Sequence, residues 1–174
     1  FKVTDRVVPG QGSFLESNDI SFTNGKDFMP EEFSENSSAK AEVVFAGYGF
    51  RAGGEALKWD DYGDIDVKGR WVMILRGNPL PDEPMSEFAS FSGDRDKAMI
   101  AKDLGAAGVL MVSGPAFDEA ESFPSYSSGG FSAGIPVLRL KRETADKLLE
   151  RSGRTIASLE KTLNETRKPT GFVT

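Results

Sequence analysis

Histidine and cysteine are both absent from this chain of 174 residues. Their absence excludes Ser-His-Asp and Cys-His nucleophile pairs and the usual zinc sites, which take His or Cys ligands. What remains open is carboxylate chemistry, either a hard cation held by oxygen or glycoside cleavage by a carboxylate pair. No disulfide can form, so cysteine usage says nothing about redox compartment. No apolar run approaches the roughly 20 residues that a membrane-spanning helix needs. An excess of positive charge is missing too. With 21 Lys and Arg against 27 Asp and Glu, the net charge of -6 argues against a nucleic-acid partner. An initiator methionine is lacking as well, since the chain opens on Phe1. We read it as a piece of a longer protein rather than as a processed mature start.

What is present is an ordinary globular composition, 39% hydrophobic and 28% charged, of a length that suits one domain. The organising stretch runs from Lys97 to Gly114. Ala98, Ala101 and Leu104 recur at helical spacing, with Ile100 beside them, and Gly105 offers a left-handed stop. Two alanines and Gly108 read as a tight turn. Val109–Val112 is then a continuous apolar run, as expected of a strand buried on both faces. Val43–Phe45, Trp71–Leu75 and Ile135–Leu140 read as its neighbours in the sheet. Pro136 marks an edge or a strand opening.

Elsewhere the alternation in Asp19–Thr23 predicts a short half-buried strand, and Asn24-Gly25 a hairpin turn. Phe28–Phe33 reads as loop or edge strand. Pro79–Ser92 carries three prolines and reads as a loop whose Phe88 and Phe91 pack against the body. Ser92 or Asp94 is the expected cap of the helix starting near Arg95. Pro115–Gly134 is a second long loop, of the length usually reserved for function or mobility. Arg142–Arg151 predicts a helix with Ala145, Leu148 and Leu149 on one face and Gly153 at its end. Thr155 is the expected cap of a last helix carrying Ile156, Leu159 and Leu163. Pro169–Thr174 reads as extended.

Several motifs are weighed and set aside. Gly47, Gly49 and Ala52 match a dinucleotide fingerprint by letter, but the glycine-broken segment after them is too short for the helix that fingerprint opens. Asp60, Asp61, Asp64 and Asp66 lack the ligand spacing of a calcium loop and read as an exposed turn in which aspartates accept backbone bonds. Ser37 and Lys40 match a Ser-Lys pattern without its companion motifs. Asn36-Ser-Ser38 and Asn164-Glu-Thr166 fit the glycosylation triplet, which is common by chance.

One set of elements resembles a known family. Val43-Val-Phe-Ala-Gly-Tyr-Gly49 is followed by Asp61-Tyr62, and Asp66-Val-Lys-Gly-Arg70 precedes an apolar strand and Arg76-Gly77. Lys97-Ala98, Ala101 and Gly105–Gly108 come next, then Ile135-Pro-Val137 and a helix ending Leu148-Leu149. In order and spacing these resemble the protease-associated (PA) domain. The flanks resemble those of PA domains inserted in zinc-dependent aminopeptidases of the M28 kind. The resemblance implies an α/β fold, the swivelling β/β/α arrangement, with a small β-barrel-like sheet flanked by short helices. It implies a flanking segment over 1–40, a PA core over 41–150, and a C-terminal helix with an extended exit over 151–174.

The resemblance also implies a role, namely a non-catalytic accessory domain of a secreted metallopeptidase that acts as lid, substrate guide or protein-contact module. It implies no catalytic, cofactor or metal residue in this chain, with zinc held in the parent's catalytic domain. The implied partners are that catalytic domain and a peptide or protein substrate, with no nucleic acid and no membrane contact. The implied location is extracytoplasmic. A free-standing receptor-type module for peptide, sugar or cargo is the alternative, and a carboxylate enzyme or calcium protein built on Asp60–Asp66 is the third reading. On the first reading, loops 79–92 and 115–134 face the catalytic cleft. Tyr48, Phe88, Phe91, Phe123, Tyr126 and Phe131 are then the residues expected to touch substrate. One departure from the family pattern is Lys141-Arg142, where a capping residue is usual before the helix. Positive charge opposes the helix dipole there, so either the helix start is weak or a carboxylate elsewhere holds these residues.

Overall fold

A computed structural model describes residues 12–55, 57–123, 125–126 and 131–174. Residues 1–11 of the expected flanking segment, and Pro124 and residues 127–130 of the second long loop, lie outside the described residues.

The chain runs β1 (Leu15–Ser17), β2 (Ile20–Phe22), β3 (Phe28–Pro30), β4 (Val43–Ala46), β5 (Arg51–Gly53), β6 (Lys58–Asp60), β7 (Trp71–Leu75) and helix α1 (Asp94–Asp103). It continues through β8 (Gly108–Val112), β9 (Val137–Leu140), α2 (Arg142–Leu149), α3 (Ile156–Thr166) and β10 (Gly171–Val173). Six strands form one mixed sheet in the order β10-β4-β7-β8-β9-β3. Strands β4, β7, β8 and β9 are mutually parallel, and the two edge strands run antiparallel to their neighbours. The architecture is the expected α/β one, a mixed sheet flanked by short helices.

The apolar runs occupy the middle of the sheet because both its faces are covered. Every residue of β8 is buried. Phe45, Met73, Leu75, Leu110, Val112, Leu138 and Leu140 point to one face, where Ala145, Leu149, Ile156, Leu159 and Leu163 of α2 and α3 pack. Val44, Val72, Ile74, Val109, Met111 and Val137 point to the other, under Ala98 and Ala101 of α1. This alternation is the period of two that a strand imposes on its side chains. The alanines let α1 lie close to the sheet.

Local expectations meet the structure unevenly. Gly105 takes φ +85° just after α1, as the helix stop requires. Thr155 caps α3, accepting from the Ser158 N–H while the Ser158 hydroxyl accepts from the Thr155 N–H. Helix α1, however, is entered at Gly93 with no side-chain cap, so neither Ser92 nor Asp94 plays that part. Asp94 is instead drawn into an ion pair with Arg76. Gly108 is no turn residue. It opens β8, opposite Trp71, and a Cβ there would overlap the indole ring. The hairpin turn between paired strands falls at Asn18-Asp19, both at positive φ, and Asn24-Gly25 instead forms a turn leading into edge strand β3. Pro136 precedes an interior strand, β9, so it marks a strand opening.

Candidate interaction face

Because β4, β7, β8 and β9 are parallel, their carboxyl ends lie together. From that end leave the glycine turn after β4, loop 79–92 after β7 and loop 115–134 after β8. The order of the four strands never reverses, so the sheet has no interior switch point of the kind that opens a ligand crevice. No helix opens at Gly47–Ala52 either, since β5 follows, and the dinucleotide motif is excluded on structure as well as on letter context.

The glycine turn is held from within. Gly47 takes φ +46°, and a Cβ on it would overlap the carboxylate of Asp61. Asp61 accepts the Phe50 N–H at 3.2 Å, and the Tyr62 hydroxyl donates to the Gly49 carbonyl at 3.2 Å. Asp61 is thus no exposed turn residue, since only 2% of its surface is accessible. The sequence reading failed because aspartates in a turn look alike whether the turn faces water or the core. Burial pushes the Asp61 carboxyl up to about 7, against the hydrogen bonds and the Lys97 charge that favour its ionised form. The Trp59 indole N–H lies near this carboxylate but outside hydrogen-bond geometry, leaving Trp59 Nε1 and Asp61 Oδ1 both without a partner.

The raised value has a consequence for stability. A carboxyl protonated more readily in the folded chain than in the unfolded one favours folding most below its ordinary value of 3.8. That contribution is lost as pH rises through about 7. We therefore expect the wild type to lose stability across this window, by an amount on the order of 1 to 3 kcal/mol. Asp61→Asn should show a flatter profile. Urea unfolding at pH 4, 5.5 and 7.5 measures it, and parallel profiles for the two proteins would refute the assignment.

Lys97, in the first turn of α1, is 1% exposed. Its ammonium donates to the carbonyls of Leu75 at 3.1 Å and Gly77 at 2.5 Å, and lies 5.4 Å from the centre of the Tyr48 ring. Burial lowers its pKa to about 8, opposed by Asp94 and Asp61. It ties the helix to the end of β7.

Beside it runs a chain of alternating charge. Arg76 pairs with Asp94 at 2.7 Å, Asp94 with Arg139 at 3.5 Å, and Arg139 with Glu31 at 2.6 Å. Glu31 is buried, and desolvation raises its pKa against the pull of Arg139. Loop 115–134 is strapped over this network. Ser122 accepts from Arg139 through its carbonyl, and the backbone N–H of Ala116 (2.8 Å) and Phe117 (3.2 Å) donate to the buried carboxylate of Glu160 on α3.

The same loop answers the question left by Lys141-Arg142. The side chain of Glu121 accepts the Arg142 backbone N–H and pairs with its guanidinium at 3.3 Å. The Lys141 ammonium donates to the Glu121 carbonyl and sits 4.5 Å from the centre of the Phe123 ring. A carboxylate from 21 residues away in sequence thus caps α2, as the alternative to a weak helix start required.

The six residues singled out from sequence are not gathered in one place. Tyr48 is fully buried and its hydroxyl donates to Asn164 Oδ1 at 2.5 Å. Phe88 is 2% exposed and packs with Phe50 and Trp59, and Phe91 stacks on Phe50 with ring centres 5.0 Å apart. Loop 79–92 therefore does turn its aromatics against the body. Phe123 is half-buried beside Lys141, and Tyr126 is half-buried with its hydroxyl donating to the Pro30 carbonyl. Phe131 stands out at 83% exposed. Sequence reasoning missed Met85, 94% exposed on loop 79–92, and Phe117, 37% exposed on loop 115–134. Met85 lies between prolines and acids, a setting that discourages packing and offered the one signal for it.

Among the described residues no group of three or more His, Cys, Asp or Glu is placed to hold a metal ion. None of their helices is long and apolar enough to cross a membrane.

Comparison with known proteins agrees with this architecture. A family model for the PA domain matches residues 38–148. Comparison with curated proteins returned no match. Among solved structures, an aminopeptidase from Aneurinibacillus sp. strain AM-1 superposes at TM-score 0.51 and 19% identity, over 88% of this chain and 28% of that one. BSAP, a zinc aminopeptidase from Bacillus subtilis, does so at 0.52 and 21%, over 86% of this chain and 29% of that one. The chain thus spans less than a third of either protein, and the likeness is one of fold.

Proposed function

The chain belongs to the PA-domain family, and on that premise we propose that it is a non-catalytic accessory domain of an extracytoplasmic, M28-type zinc aminopeptidase. Its partners are the catalytic domain of the same polypeptide, which carries the zinc, and a peptide or protein substrate. The observation that carries this reading is the shared fold with a segment of two aminopeptidases, taken together with the family match. The layout of the domain supports it. Hairpin β1–β2 and the end of β10 border one hollow at the amino end of β4, where Ser17, Asn18, Val43 and Thr174 meet. The two long loops stand at the opposite end of the parallel strands. On this reading those two loops form the lid or substrate guide.

Of the set named from sequence, Phe131 is the exposed member and the one we propose to meet substrate. Phe131→Ser in the full enzyme should change KM, and the ratio of rates on long and short peptides, several-fold while kcat on a dipeptide-sized substrate changes little, and it leaves intact the loop that must cross from the carboxyl end of β8 to the amino end of β9. Steady-state kinetics on a peptide length series make the test. Kinetics unchanged across the series would remove the lid reading.

A further inference from the structure

The two loops at the carboxyl end share a charge pattern that the fold makes one-sided. Loops 79–92 and 115–134 carry Asp82, Glu83, Glu87, Asp118, Glu119 and Glu121, and no lysine or arginine. Glu121 is engaged by Lys141 and Arg142, and Asp118 accepts the N–H groups of Glu121 and Ser122. The other four are exposed, and no ion pair among the described residues holds them. Of the guanidinium groups beneath, only that of Arg95, which donates to the Phe131 carbonyl, has no ion pair among the described residues. Arg76 and Arg139 are neutralised by Asp94 and Glu31, Arg142 by Glu121, and Lys97 is enclosed. The outward field of this end is therefore negative, because four exposed carboxylates stand against one guanidinium, that of Arg95, without an ion pair.

The same end exposes apolar side chains. The Phe117 ring lies against Gly77 and 5.2 Å from the Arg76 guanidinium, at one foot of loop 79–92. The Phe131 carbonyl accepts from Arg95 Nε at 3.0 Å, at the other foot, where the loop enters α1. Met85 stands on the loop between them. One exposed apolar group thus stands on the acidic loop and one at each of its feet.

We propose that this face is a docking surface for a peptide segment that combines positive charge with apolar side chains, the apolar groups seating on Phe117, Phe131 and Met85 and the cationic groups meeting Asp82, Glu83, Glu87 and Glu119. The occupant follows from charge complementarity, since an anionic segment would be repelled by four unpaired carboxylates and a purely apolar one would leave them unused. The proposal rests on the substrate-guide reading and names its substrate class.

The test uses two fluorescein-labelled peptides of equal length and equal leucine and phenylalanine content, one carrying lysines and the other glutamates. Each is titrated with the chain by fluorescence anisotropy at low and high salt. The lysine peptide should bind at least about tenfold more tightly than the glutamate peptide at low salt, with the margin shrinking as salt rises. The variant D82N/E83Q/E87Q/E119Q should lose most of that margin. The variant M85S/F131S should weaken the lysine peptide while keeping its salt dependence. All six positions are exposed, and an unchanged thermal midpoint verifies the fold of each variant. Equal affinities for the two peptides, an undiminished margin in the neutralised variant, or no binding of the lysine peptide would each overturn the proposal. The charge preference is read from the two peptides and the neutralised variant, and the lid reading from Phe131→Ser kinetics on short and long substrates in the full enzyme, so the two fail separately.

Discussion

Lys97→Met should cost the domain about 3 kcal/mol of stability, because it strips two buried carbonyls of their donor at once. Methionine matches the length and apolar stem of lysine, so the packing of the side chain against Tyr48 is largely kept. What disappears is the ammonium that donates to Leu75 at 3.1 Å and Gly77 at 2.5 Å. Neither carbonyl can turn to water without moving the end of β7. The loss is partly offset, since methionine carries no charge that must be held out of water. The offset applies in full near neutral pH, because burial lowers this group only to about 8 and leaves it mainly charged there. For a domain of this size the effect reads as a drop of roughly 6–12 °C in thermal midpoint, or as an earlier midpoint in urea at unchanged slope. A change under about 1 kcal/mol would mean that the carbonyls find other donors, and the bridge between α1 and β7 would have to be discarded.

Gly47→Ala should be of similar size, about 2–4 kcal/mol, with two causes acting together. The backbone is held at φ +46°, where any side chain is strained, and the added Cβ overlaps the Asp61 carboxylate. Asp61 cannot simply withdraw, since it also accepts the Phe50 N–H. The comparison is Gly54→Ala, which meets open space. Removing backbone freedom from the unfolded chain makes that variant neutral or slightly more stable. Matched urea titrations of the two variants decide it. Equal stabilities would mean the turn relaxes, and Asp61 would then no longer be what requires glycine there.

These two residues also mark how far the chain could be read in advance. Strands β4, β7 and β8 were legible because four or five consecutive apolar residues between turn signals admit few other structures, and β9 was legible from Ile135, Val137, Leu138 and Leu140 around Arg139. Helix α3 was legible from Thr155 and from the spacing of Ile156, Leu159 and Leu163. The family was legible from the order of short motifs, although no one of them is specific. The tertiary roles behind those motifs were not legible. Asp61-Tyr62 sits beside the glycine turn and its two side chains hold that turn from across 11 to 13 residues of chain. Lys97-Ala98 pairs a buried ammonium with the small residue that lets α1 approach the sheet.

The interaction face was read with less success, and the reason is physical. An aromatic ring in a loop has the same local sequence whether it closes the core or faces solvent. Phe88 and Phe131 sit in equally polar and glycine- or proline-rich surroundings, yet one is 2% exposed and the other 83%. What separates them is the Phe50–Trp59 platform that Phe88 meets, built by β5 and β6 some thirty residues earlier.

By itself, then, the sequence determined the elements, their order and the chemistry this domain lacks, because hydrophobic period, turn residues and the absence of His and Cys are local or compositional facts. Only the tertiary structure decided which charges are buried and which are free. Lys97, Asp61, Glu31 and Glu160 are enclosed while Asp82, Glu83, Glu87 and Glu119 are exposed, and nothing adjacent to them in the chain distinguishes the two sets. Burying a charge requires partners, and those partners arrive from other elements. Arg139 on β9 meets Glu31 beyond β3, and α3 brings Glu160 to the start of loop 115–134. The sheet must form before a carboxylate can be either neutralised beneath it or left facing outward at its end.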